Sequence, residues 1–223
     1  MVGLYMINCG SQYTPSEILE IFKEQHRLCS PLDPDTDPSA TITPEMTIHA
    51  WRSANDLIGW KKLGQFLNQE FRLDISEQEW YSTLEPSKQR QLIDVCKLIS
   101  KYAQKDTYEP KILFGHACLK ATVFLTIKSN LQKKGVNVSN LRPSSVLSDY
   151  LLRYFSPMIE EITLTGTRPI EKIEVSRKKK GFWNTINIFD ADRFEILTGE
   201  VKTFRDLIEQ IVDENRKIAR GKN

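Results

Sequence analysis

The chain has 223 residues, 40% of them apolar and 27% charged, with 31 lysines and arginines against 29 aspartates and glutamates. That mixture is typical of a soluble globular protein and excludes pervasive disorder, a collagen-like repeat and a disulfide scaffold. A net charge of +2 gives no global field for nucleic acid or anionic lipid, so either partner would need a local patch.

The length allows one large domain or two small ones, and two are expected. The segment Met1–Cys9 lacks a basic leader and a long apolar core, no run of about 18 apolar residues occurs, and Gly221-Lys222-Asn223 is no lipidation signal. A cytoplasmic protein without a membrane partner is expected. Cys9, Cys29, Cys96 and Cys118 are widely spaced and form no C-x-x-C pair, the pattern of reduced thiols. Cys96 falls within an apolar helical pattern and reads as a small buried hydrophobe.

The first helix is signalled by Thr14-Pro15-Ser16-Glu17, with a cap, a proline at the first helical position and an early carboxylate, followed by Ile18, Ile21, Phe22 and Leu28. Three prolines and three aspartates between Ser30 and Ser39 mark an exposed loop, continuing through Ile42-Thr43-Pro44-Glu45. Leu57, Trp60, Leu63, Leu67 and Phe71 then recur at three- and four-residue spacing, one face of a second helix. Ser76-Glu77-Gln78-Glu79 reads as a capping box for a short third helix through Trp80. Pro86-Ser87 is expected to open a fourth, with the stripe Leu92, Val95, Cys96, Ile99 and Ala103.

Beyond a linker at Lys105–Pro110 the periodicity restarts. Ala121, Phe124, Ile127 and Leu131 predict a helix stopped by Gly135. After the turn Arg142-Pro143-Ser144-Ser145, the residues Leu147, Leu151 and Tyr154 make another stripe, and Ser156-Pro157 starts a new turn through Met158, Ile159 and Ile162, ending at Thr165-Gly166. Ile173-Glu174-Val175 and Ile186-Asn187-Ile188 alternate like short strands with Arg177-Lys178-Lys179-Lys180-Gly181 as a hairpin tip. Phe204, Leu207, Ile208, Ile211 and Val212 give a regular i, i+3, i+4, i+7, i+8 pattern for the last helix.

Both halves therefore share one order: helix, long loop with a proline-containing turn, helix, irregular segment, final helix. In the first half Ile42-Thr43-Pro44-Glu45, Leu67 to Ile75 and Leu92 to Ile99 resemble the loop, the second helix and the last helix of an acyl carrier protein, and Thr203 to Ile211 resembles that last helix again. The resemblance implies an all-α fold of two small helical bundles, acyl-carrier-like over 14–104 and more divergent over 111–218, with a short β-hairpin in the second. In carriers an Asp-Ser-Leu at the start of the second helix holds the serine that takes a phosphopantetheine arm. Aligned on Phe71, this chain reads Asp56-Leu57-Ile58 there, and leucine has no hydroxyl to form the phosphodiester. In the second half Ser156 falls near the expected position, but a serine followed by proline is also the ordinary mark of a helix N-cap. Helix two carries Lys61, Lys62 and Arg72 as well as Glu70, so the acidic recognition face of carriers is missing.

No two of His26, His49 and His116 share a helical face, so no metal site is expected. His116 and Cys118, two apart on a helix, would not face each other. No phosphate-cradling glycine loop, G-x-S-x-G or zincin helix occurs. Arg177, Lys178, Lys179 and Lys180 beside Phe182 and Trp183 could hold an anion or a nucleic acid, although Glu171, Glu174, Asp190 and Asp192 dilute the potential and a solvated hairpin tip is the plainer reading. The expectation is a non-catalytic protein-binding or scaffold module, with no cofactor and another protein as partner. The alternatives are a phosphopantetheine carrier modified at Ser156 and a protein that binds nucleic acid or an anionic ligand through Arg177 to Lys180.

Overall fold

The computed structural model describes residues 12–106, 108, 111–113, 116–177 and 194–221. Among these, nine α-helices dominate, accompanied by two small antiparallel strand pairs. The first half contains α1 (Pro15–Cys29), α2 (Ile48–Ala54), α3 (Trp60–Phe71), α4 (Glu77–Leu84) and α5 (Leu92–Tyr102). The second contains β1 (Lys111–Leu113), β2 (His116–Cys118), α6 (Leu119–Lys133), α7 (Leu147–Arg153), α8 (Phe155–Leu164), β3 (Glu174–Arg177), β4 (Phe194–Leu197) and α9 (Phe204–Gly221).

Helix α1 starts as its sequence dictates. The Thr14 hydroxyl accepts from the Glu17 amide at 3.3 Å, the Glu17 carboxylate accepts from the Thr14 amide at 2.9 Å, and Pro15 loses no bond at a position whose N–H has no partner inside the helix. Gly135 and Gly166 follow α6 and α8 with φ of 82° and 70°, the left-handed region that glycine enters without steric cost.

One backbone arrangement occurs twice. In the first half the Met46 amide closes a turn on the Thr43 carbonyl, and the Ile48, Leu92 and Ile93 amides donate to the carbonyls of Arg90, Met46 and Pro44 at 2.9, 2.9 and 3.0 Å. In the second half the Ser145 amide closes the same turn on Arg142, and Leu147, Phe204 and Arg205 donate to Lys202, Ser145 and Pro143 at 2.9, 3.1 and 2.7 Å. The residues between, Thr47 with Gln91 and Val146 with Thr203, form single antiparallel bridges. Each clamp occupies amides at a helix start that have no partner within their own helix. It also fixes the start of the half's last helix (α5 or α9) against the start of its short helix (α2 or α7).

Apolar residues collect in two clusters. The first runs from Tyr13 to Ala103 and includes Ile18, Trp51, Leu67, Trp80 and Ile99. The second is built from residues between Tyr108 and Val212, including Ile127, Leu151, Ile162, Phe204 and Ile211, and it takes in Leu28 from the end of α1. Leu164, at the end of α8, packs in the other direction onto the first cluster. At about 1.5–3 kcal/mol for each large apolar side chain removed from water, either cluster can hold its helices together.

Several expectations from the sequence are corrected. Leu57 precedes α3 instead of lying in it, and α2 is an additional short helix. Pro86-Ser87 stands in a turn, and α5 begins only at Leu92, because its first amides are taken by Met46 and Pro44. The fold is mostly rather than wholly helical. Among the described residues β3 pairs with Phe194–Leu197, Glu174 with Leu197 and Arg177 with Phe194, so Arg177 belongs to a strand rather than a tip; the expected strand Ile186–Ile188 lies outside the described residues. His116 and Cys118 stand in β2, paired with β1, and not on a helix. No helix among the described residues is long and apolar enough to cross a membrane.

Helices α3 and α4 meet at one close approach. A Cβ at Gly64 would lie 2.7 Å from Cγ and 2.8 Å from Cδ1 of Trp80. The indole has nowhere to go: it is 2% exposed, and its Nε1 donates to Asn68 Oδ1, while Asn68 also grips the Ile75 backbone. Gly64→Ala therefore sets a helix-propensity gain of about 1 kcal/mol against an overpacking cost of about 1–3 kcal/mol. The overpacking term wins because a tethered indole cannot yield. The variant is expected to unfold at lower urea concentration than the parent chain, and an unchanged or raised midpoint would refute the close packing.

Candidate functional site

The two apolar clusters are separated by a polar seam built from α1, the end of α3, residues 104–106, α6 and α8. It is reached by residues that their own helices place on the apolar side. Glu70 follows Leu63 and Leu67 along the buried stripe of α3, Asn130 follows Ile127 on α6, and Glu161 lies between Met158 and Ile162 on α8. Helical periodicity thus drives two carboxyl groups inward: Glu70 is 1% exposed and Glu161 is 2% exposed.

Each is met by an amide. Gln25 Nε2 on α1 donates to Glu70 Oε1 and, at 3.3 Å, to Thr163 Oγ1 on α8, tying the two halves together. Asn130 Nδ2 donates to Glu161 Oε1 and to Asp106 Oδ2, both at 2.7 Å, and Asp106 in turn accepts two bonds from Arg72 at 2.9 and 3.3 Å. Arg72 caps α3 in the left-handed region at φ 56°, a costly conformation for a side chain with a Cβ, and this ion pair accompanies it. Oε2 of both Glu70 and Glu161 has no hydrogen-bond partner among the described residues.

Around this centre the halves are joined by further bonds. The Tyr13 hydroxyl donates to the Leu164 carbonyl at 2.9 Å, and Arg27 Nη2 donates to the Ile170 carbonyl at 2.6 Å while Nη1 reaches Glu171 O. Arg168 pairs with Glu20 at 2.9 Å and, more loosely, with Glu24 at 3.6 Å. Lys134 and Glu160, both largely buried, pair at 2.8 Å within the second half. Two adjoining clefts, of about 250 and 290 Å³, open along the seam and share Tyr13, Lys105, Asp106 and Leu164. Lys105 is paired with Glu17 at 2.7 Å and lies 5.6 Å above the Tyr13 ring.

Electrostatics follow from burial. Desolvation, reinforced by the Glu160 charge, pushes the Glu70 carboxyl up to about 7, against the opposing pull of Gln25 and Lys134. Desolvation, with Asp106 adding to it, likewise pushes Glu161 up to about 7. The Tyr13 and Tyr108 phenols are raised well above their usual range by burial, and burial pushes the Cys29 and Cys96 thiols up to about 12, which keeps them protonated and unreactive. In chemical terms the seam holds two carboxyls whose charge changes near neutrality.

The residues singled out from sequence are scattered. Leu57 packs, half-buried, on the first core, held by its amide to Arg52 O at 2.9 Å after Asp56 takes a φ of 47°. Ser156 is exposed in the first turn of α8, where Phe155 is already helical and Tyr154 precedes the helix, so it is not the N-cap that its proline neighbour suggests. Measured from the two clamps, Ser156 lies as far beyond Leu147 as Leu57 lies beyond Ile48. Arg177 has a described backbone in β3, while Lys178, Lys179 and Lys180 lie outside the described residues. Glu70 does not join Lys61 and Lys62 on an exposed face, because it turns into the seam. His26 is buried and bonds Asn55 through Nδ1 at 2.8 Å. Among the described residues no three His, Cys, Asp or Glu side chains converge on a metal-sized space.

The chain matches no known family, no curated protein and no solved structure. What it offers for functional reading is its own geometry.

Asn130 is the joint on which Asp106 and Glu161 both depend. Replacing it with leucine leaves two carboxyl groups without their shared donor in a buried setting, a loss of about 1–3 kcal/mol. Asn130→Leu is expected to lower the urea midpoint by a corresponding amount. A neutral effect would show that the amide bridges nothing of energetic weight.

Proposed function

We propose that this protein is a non-catalytic binding or scaffold module: two acyl-carrier-like helical bundles in tandem, the first without a prosthetic group, that present a surface to another protein. The observation that carries this reading is Leu57. It stands where a carrier needs an alcohol, it packs on the first core, and no hydroxyl is available at the start of α3 to form a phosphodiester. The duplicated clamp supports a tandem of related units, since the same turn and the same three cross-bonds recur around Pro44 and Pro143. Exposed apolar side chains beside α3 support a protein-facing role: Ile58 and Tyr81 keep about half of their surface in water, and Tyr81 stacks edge-on against Trp60 at 5.1 Å.

A second reading keeps one half active. Ser156 is exposed in the first turn of α8 and occupies the position equivalent to Leu57 when the halves are matched on their clamps, which favours attachment of a phosphopantetheine arm there. Against it stand the flanking Phe155 and Pro157, where carriers have aspartate and leucine.

One experiment separates the two. The protein is incubated with coenzyme A and a promiscuous phosphopantetheinyl transferase and then weighed intact. The scaffold reading expects no added mass. A gain of one phosphopantetheine arm that disappears in Ser156→Ala would replace it with the carrier reading.

A further inference from the structure

The seam combines two features. It is the contact between two separate apolar cores, and two of its deeply buried polar groups are carboxyls served by neutral amides. Among the described residues neither Glu70 nor Glu161 forms an ion pair, and each keeps one oxygen without a hydrogen-bond partner. The cations nearby are committed elsewhere: Arg72 to Asp106, Lys134 to Glu160 and Lys105 to Glu17. A neutral carboxyl is tolerated in such a place. A carboxylate is held there only at a cost, because its negative charge lies out of water with one oxygen unserved.

We propose that the seam is a proton-operated latch: with Glu70 and Glu161 neutral the two halves stay closed on each other, and loss of their protons favours a loosened seam in which both carboxylates reach water. The proposal is independent of the carrier-like reading, since it concerns the join between the halves and not the start of α3 or α8.

The groups facing each carboxyl do not cancel the effect. Glu70 is approached by Gln25 and the Cys29 thiol from α1, by Glu160 and Thr163 from α8, and by Lys134 from α6. Of these, Glu160 opposes ionisation and Lys134 favours it. Glu161 is faced by Asn130 and Lys134 from α6, by Asp106 and Arg72 from the first half, and by the phenols of Tyr13 and Tyr108. Asp106 opposes ionisation there, whereas Lys134 and Arg72 favour it. For both carboxyls desolvation is the largest influence, and the net direction is upward, to about 7 from 4.5.

The sign follows by linkage. An opened seam lets both groups titrate near 4.5, while the closed seam holds their protons up to about 7. Between those values opening releases protons, so closure weakens as pH rises through this window. Below it both groups are protonated in either state, and above it both are ionised in either state, so the dependence flattens at each end. The closed state is therefore favoured by acid, and its advantage over the open state falls by more than about tenfold across the window.

The test uses the full chain. Hydrogen exchange, corrected for the intrinsic effect of pH, is followed from about pH 5 to about pH 8 for amides of α8 at the seam and for Val95 to Ile99 of α5 in the first core, together with the radius of gyration. The parent chain is expected to lose more than about tenfold of its α8 protection toward the alkaline end and to expand, with α5 unchanged. The double variant Glu70→Gln and Glu161→Gln, permanently neutral, is expected to keep the acid-like protection at every pH, and each single variant about half of the response on a logarithmic scale. Three results would each overturn the latch: constant α8 protection in the parent, an unchanged pH response in the double variant, or parallel loss of protection in α5.

Discussion

The architecture depends on a small backbone constraint used twice. In each half the amides that open the last helix find no acceptor in their own turn, and the carbonyls of a proline-containing turn more than forty residues earlier accept them. A bond of this kind contributes only about 1 kcal/mol net, so its value lies in register: it fixes where α5 and α9 begin and therefore which side chains face inward. Val95, Cys96 and Ile99 in one half, and Leu207, Ile208 and Ile211 in the other, are buried because the first residue of each helix is pinned. The rest of each half is free to differ. The first inserts α4 after its middle helix, the second a strand pair, and neither change disturbs the clamp.

Between the two clamped units the contact is made by polar as well as apolar groups. Leu28, Cys29 and Leu32 pack onto the second core and Leu164 onto the first, while Gln25, Glu70, Asn130, Glu161 and Asp106 make the polar part of the contact. Such a contact is specific in geometry and weak in net energy, since every hydrogen bond replaces one to water while the desolvation of two carboxyls is only partly offset. Cohesion within each half and a conditional grip between halves are the two regimes this division of labour produces.

Much of the helical framework was legible in the sequence. The cap at Thr14, the stripes on α3, α5 and α9, and the stop at Gly135 depend on local chemistry that neighbours do not override. Failures cluster where long-range bonds decide. Pro86 looks like a helix start only until Pro44 and Met46 take the amides of Ile93 and Leu92, and β3 pairs with a strand that short-range alternation does not single out. The seam was the least visible part. Glu70, Asn130 and Glu161 read as ordinary polar residues by type, yet each sits at i+3 from a buried apolar residue, Leu67, Ile127 or Met158, on a mainly apolar stripe. That spacing was the available signal. Which partner each would meet depends on how the halves pack, and no local pattern encodes it.

The contact between Gly64 and Trp80 has a consequence in descent. With no side chain on one side and a pinned indole on the other, the two positions are coupled: a bulkier residue at 64 is destabilising beside the indole and is relieved by a smaller one at 80. Distant kin of this chain should therefore carry the two sites as a correlated couple, a tracer of common ancestry that survives after overall similarity has faded.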